Sequence, residues 1–96
     1  MRPSEALEQK RAAIRELVPL FRASNPRVFG SVLRGLDRET SDLDILVDTL
    51  PGTTLFDLGG LQERLRGLLG VRVDVRTPGD LPLTFRNAVL SEAEPV

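Results

Sequence analysis

The chain contains no cysteine and no histidine. That excludes disulfides, thiolate chemistry, zinc clusters and imidazole general bases together, so whatever titrates in a site has to be a carboxylate. Tryptophan and tyrosine are missing too, and four phenylalanines are the only aromatic residues, which leaves no stacking platform for bases. Charge of one sign is also lacking: 13 Lys and Arg stand against 14 Asp and Glu, with a sequence pI near 5.4. Sequence-independent nucleic-acid binding needs a concentrated basic face, so no direct nucleic-acid partner is expected. No apolar run approaches a membrane span, and Met1-Arg2-Pro3-Ser4-Glu5 lacks a signal peptide's apolar segment. A cytoplasmic location and no membrane partner follow as expectations.

What is present is concentrated between Val28 and Val47. A short apolar strand, Arg27 to Phe29, runs into Gly30-Ser31, and ten residues later a polar loop delivers Asp42-Leu43-Asp44-Ile45-Leu46-Val47. Gly30 lets the backbone bend with no Cβ in the way. Ser31 opens a short helix to Arg34, closed by Gly35. A Gly-Ser turn at a helix start offers free backbone N–H groups, a hydroxyl and the positive end of the helix dipole, the elements of a phosphate cradle.

In the following strand, period-two alternation sends Leu43, Ile45 and Val47 to one face and Asp42 and Asp44 to the other. Two carboxylates so close repel each other unless a cation sits between them, and hard oxygen donors facing a phosphate site point to Mg²⁺. The strand Val71-Arg72-Val73-Asp74-Val75-Arg76 supplies a third acid. If it neighbours the first acidic strand, Asp74 lies beside Asp44, and three carboxylates can hold two Mg²⁺ ions roughly 3.5–4 Å apart. Arg34 and Arg38 are near enough in sequence to reach a triphosphate. Ser41 is placed to support the Asp42 carboxylate from behind.

The remaining elements frame that centre. Ser4 caps a helix to about Leu20 in which Leu7, Ile14, Leu17, Val18 and Phe21 recur at helical spacing, with Pro19 ending or kinking its last turn. Thr54 and Asp57 form a capping box for a helix from Leu55 to Leu69 with a leucine stripe, interrupted by Gly59-Gly60 and closed by Gly70. A last helix, roughly Pro82 to Ser91, carries Leu83 and Phe85, which with Leu81 read as core contacts. The tail from Glu92 to Val96 can add an edge strand. The expected architecture is α/β (α+β): one domain, residues 1–96, with a small mixed sheet of three to four strands flanked by helices.

Gly-Ser, ten residues, Asp-x-Asp and a later strand Asp together resemble the polymerase-beta-type nucleotidyltransferase signature, specifically the minimal nucleotidyltransferase (MNT) antitoxins paired with HEPN toxins. Arg34-Gly35, Leu55-Phe56-Asp57-Leu58, Leu69-Gly70 and Val89-Leu90-Ser91-Glu92-Ala93 extend the likeness over most of the chain beyond Val28. Val32 and Leu33 depart from it, standing where relatives often carry Arg and Ala. The resemblance implies a polymerase-beta-like core in which Asp42, Asp44 and Asp74 are catalytic and hold Mg²⁺. It also implies that Gly30, Ser31, Arg34 and Ser41 bind ATP, the AMP donor. The acceptor it implies is a hydroxyl, a tyrosine's, on a HEPN-type ribonuclease toxin presented as a separate molecule, in a hetero-oligomer with the antitoxin. A non-catalytic antitoxin that neutralises by stoichiometric complex formation is the alternative. Nucleotidylation of a small molecule is a weaker third, disfavoured by the lack of room for an acceptor domain.

Overall fold

The computed structural model describes residues 1–96. Helix α1 (Pro3–Leu17) runs through a 3₁₀ turn (Val18–Phe21) into strand β1 (Ala23–Phe29), the short helix α2 (Gly30–Leu33) and strand β2 (Leu43–Thr49). Helix α3 (Leu55–Leu69), strand β3 (Val73–Arg76), a 3₁₀ turn (Pro78–Asp80), helix α4 (Leu83–Glu92) and strand β4 (Glu94–Pro95) follow. The four strands form one mixed sheet in the order β3-β2-β1-β4. β1 pairs antiparallel with β2 and β4, whereas β2 and β3 run parallel. The parallel pair needs a crossover, which α3 supplies.

One face of the sheet carries the core. Val28, Leu43, Ile45, Val47 and Val73 pack against Ala6, Leu7, Ile14 and Leu17 of α1 and Leu61, Leu65 and Leu69 of α3. The alternation that buries these residues turns Arg27, Phe29, Asp44, Leu46, Asp48 and Asp74 to the other face. Leu46 is buried there, outside the main core, as is Leu81. No helix is long and apolar enough to cross a membrane.

Several boundaries differ from expectation for identifiable reasons. The first helix stops at Leu17 and tightens into a 3₁₀ turn holding Pro19, which has no N–H to continue an α-helix. Its cap does not come from Ser4: the Ser4 backbone N–H donates to Asp37 Oδ2 at 2.9 Å, a carboxylate from the loop before β2. β1 begins at Ala23 rather than Arg27 because an irregularity between Ser24 and Arg27 absorbs Asn25, at φ 52°, and Pro26, which cannot donate to a ladder. β3 starts at Val73, not Val71. Leu81 is buried as expected, but Leu83 and Phe85 are 79% and 48% exposed, so the expected core contact fails for those two. α4 buries none of its residues fully and contributes none to the core.

α3 has the expected bounds, with the reciprocal Thr54–Asp57 cap at its start and left-handed Gly70 at its end. Its two adjacent glycines have different causes. A Cβ at Gly60 would come within 2.9 Å of the Phe21 ring, whereas one at Gly59 would meet nothing. Gly59→Ala should therefore raise stability by up to about 1 kcal/mol. Gly60→Ala should lower it by about 1 kcal/mol through overpacking. Equal urea midpoints for the two variants would show that Phe21 does not set the approach of α3.

Asp37 gives a second test. Burial opposes its charge, but hydrogen bonds from Ser4, its own backbone N–H and the Arg2 charge prevail and hold the carboxyl below its ordinary value of 3.8. A depressed carboxylate contributes stability above its unfolded pKa and loses it as pH falls through the folded one. Asp37→Ala should cost about 1 kcal/mol at neutral pH, a difference that shrinks only as pH falls below 3.8. A pH-independent difference in denaturation midpoint would contradict the capping role.

Candidate active site

The pairing of β2 with β3 places Asp44 and Asp74 opposite each other, and the pairing of β1 with β2 places Phe29 opposite Asp44. The three side chains make a row across three strands, on the face away from the core. Asp44, Asp74 and Phe29 line one pocket of about 250 Å³ with Arg76, Leu81, Pro82 and Phe85. Its floor is the sheet, and its far wall is the segment leading into α4.

Gly30 closes the row at the end of β1. It has φ 76°, a left-handed backbone, and a Cβ there would collide with the Asp44 carboxylate. Glycine is thus required twice over, by conformation and by contact. The helix it opens runs from Gly30 to Leu33, one residue earlier than expected, with extended Phe29 as its cap. The first-turn N–H groups have no carbonyl within the helix to bond, and they start beside Asp44.

Asp44 is the electrostatic centre. Its carboxyl is pushed up to about 6, first by burial, then by the charges of Asp74 and Asp42, with Arg76 acting in the opposite direction. Asp42 stands one residue before β2 and is exposed. Its carboxylate pairs with Arg72 Nε at 2.8 Å, while the same guanidinium donates to the Thr40 carbonyl at 2.6 Å. Asp74 pairs with Arg76 Nε at 3.0 Å. Asp44 and Asp74 thus share a pocket, but the three carboxylates are not gathered tightly enough to grip one ion as they stand.

The remaining residues expected at the site divide. Ser31 lies in the first turn of α2, next to Gly30. Arg34 reaches across to Glu92 of α4 at 3.4 Å and is otherwise exposed. Ser41 does something other than expected: its Oγ accepts the Arg38 N–H at 2.9 Å, and its own N–H donates to the Arg38 carbonyl. The Arg38–Ser41 turn closes on itself, so Ser41 shapes the loop that delivers Asp42 and its oxygen is not turned to that carboxylate. Sequence reasoning missed Arg72 and Arg76, although Arg72-Val73-Asp74-Val75-Arg76 alternates strictly and puts both arginines on Asp74's side.

The donor set suits Mg²⁺. All its candidate ligands are carboxylate oxygens, which hard cations prefer, and Asp44 is half-buried among like charges that a cation would neutralise. The profile of the nucleotidyltransferase domain family matches residues 7–95, and the chain belongs to that family. Protein adenylyltransferase MntA of Thermococcus cleftensis is 40% identical over 78 residues, spanning 81% of this chain and 79% of that protein. A candidate protein adenylyltransferase of Methanocaldococcus jannaschii is 38% identical over 85 residues, spanning 82% and 88%. A solved structure described as a candidate minimal nucleotidyltransferase superposes with a TM-score of 0.86 at 46% identity, covering 97% of this chain and 95% of that one. A toxin–antitoxin structure with AMP-PNP shares the fold, with a TM-score of 0.71 at 21% identity over 92% of this chain and 70% of that one.

A carboxyl raised above its ordinary value is a group whose ionisation opposes folding. Its penalty is absent at low pH and grows as pH rises from 3.8 through about 6. Asp44→Asn removes that charge, so metal-free protein should gain roughly 1 kcal/mol above neutrality and nothing at pH 4. Thermal melts at the two pH values check this, and a large loss of stability at pH 8 would mark Asp44 as a structural residue instead.

Proposed function

We propose that this nucleotidyltransferase transfers AMP from ATP to a hydroxyl, a tyrosine's by resemblance, of a HEPN-type ribonuclease toxin and thereby silences it. The observation that carries the reading is the row of Asp44 and Asp74 on paired strands, beside the turn at Gly30. Support for ATP and a protein acceptor comes from relatives named as protein adenylyltransferases and from a toxin–antitoxin structure of the same fold that contains AMP-PNP.

In this reading Gly30 and Ser31 receive the triphosphate against the first turn of α2, with Arg34 as a further phosphate contact. Asp42, Asp44 and Asp74 would hold Mg²⁺, which when bound would neutralise phosphate charge and make a hydroxyl near it more acidic. The acceptor oxygen attacks the α-phosphorus, the bond to the bridging oxygen of the β-phosphate breaks, and pyrophosphate leaves. Asp74 takes or steers the hydroxyl proton. Beyond that the residues contribute position and charge compensation. Phe85 lines the pocket and Leu83, next to the lining residue Pro82, is exposed, so an incoming protein would meet apolar surface there. That exposure also favours a second reading, neutralisation by stoichiometric binding in a hetero-oligomer, which requires no chemistry.

Labelled ATP, Mg²⁺ and the product of the adjacent gene distinguish the two. The expected result is label on the partner, lost by at least a hundredfold with Asp44→Asn or Asp74→Asn while both variants remain folded. Inhibition of the partner by wild-type protein with no label transferred would instead establish the binding reading.

A further inference from the structure

Each outer member of the acid triad is already neutralised from within the chain. Arg76 shares β3 with Asp74 and Arg72 immediately precedes that strand, and each holds a different carboxylate: Arg72 takes Asp42 at 2.8 Å and Arg76 takes Asp74 at 3.0 Å. Only Asp44, deepest of the three, has no arginine of its own. Arg72 is fixed at its base as well, because its carbonyl accepts the Leu43 N–H at 2.9 Å and its guanidinium also binds the Thr40 carbonyl. Both arginines are partly exposed, at 68% and 46% of the side chain. Exposed ion pairs are weak and exchange partners easily. Arg76 lines the same pocket as Asp44 and Asp74, so a phosphate entering that pocket comes within its reach.

We propose that Arg72 and Arg76 are resident counter-ions of the triad, positioning residues of which Arg76, at the pocket, releases Asp74 when nucleotide phosphates take over its guanidinium group. This rests on the metal-binding reading of the triad. A divalent cation arriving alone has to displace two guanidinium groups and remain beside them. A cation arriving with a triphosphate meets the Asp74 carboxylate freed by the same molecule, because guanidinium pairs phosphate bidentately as readily as it pairs carboxylate. Metal and nucleotide therefore load together, and by linkage each tightens the other's binding. The device suits a chain without histidine or cysteine, where carboxylates are the metal donors at hand and need compensation between turnovers.

The test is calorimetric titration of Mn²⁺ into nucleotide-free protein, repeated with a non-hydrolysable ATP analogue. Arg76→Gln should bind Mn²⁺ alone about tenfold more tightly than wild type, and Arg72→Gln less markedly so. Arg76→Lys, which keeps the charge, should stay near wild type, and Arg64→Gln, at an exposed position of α3 outside this pocket, should not differ from it. The analogue should tighten Mn²⁺ binding less in Arg76→Gln than in wild type, by a similar factor. Wild-type Mn²⁺ affinity in nucleotide-free Arg76→Gln, with circular dichroism showing it folded, would overturn the counter-ion role. Asp44→Asn separates the two levels: if it binds Mn²⁺ like wild type, the metal reading of the triad itself fails, whereas if it loses Mn²⁺ and Arg76→Gln is unchanged, only the counter-ion role fails.

Discussion

The repulsion between Asp44 and Asp74, held opposite each other by a parallel strand pair, is the constraint around which the rest is arranged. Nothing about the two side chains favours that closeness. It is imposed from the other face of the sheet, where Leu43, Ile45 and Val73 are sealed beneath α1 and α3. A slip of one residue in the β2–β3 register would turn the apolar set outward and the acids inward, so burial of the core fixes the acids as a by-product. α3 matters to the site without touching it, since its crossover is what makes the pair parallel and the two aspartates opposite.

The two faces therefore divide the work. One supplies stability through packed aliphatic side chains, and the other holds charge close to charge at a cost that the first can absorb, net stabilities being only about 5–15 kcal/mol. The site face contains its own moderation in Arg72 and Arg76, and its loop contains Asp37, which caps α1 and ties the approach to β2 onto the outer layer. Gly30 stands where the two requirements meet: the chain has to turn next to a carboxylate that leaves no room for a Cβ.

Much of this was legible in the residues. The alternation of Leu43 to Val47, the capping box at Thr54 and the stop at Gly70 are local signals, and local signals specify α3 and the faces of β2 directly. What resisted reading depended on partners distant in sequence. Asp37 as a cap for Ser4 joins residues far apart in the chain, and nothing near either one announces it. Ser41 looked like a neighbour of Asp42, yet its turn with Arg38 uses its hydroxyl first. Leu83 and Phe85 have the composition of core residues, but they lie on a ten-residue helix that buries none of its residues. Arg72 and Arg76 were visible as a pattern around Asp74. Their role emerged only once Asp42 and Asp74 were seen in pairs with them.

The most direct measurement is the anomalous scattering of Mn²⁺ in crystals grown with a non-hydrolysable ATP analogue. The expected result is a peak about 2.0–2.2 Å from carboxylate oxygens of both Asp44 and Asp74, with the Asp42 carboxylate turned to it and the analogue's phosphates beside Gly30. A nucleotide bound in that pocket with no peak at these aspartates, or with the metal held elsewhere on the chain, would contradict it.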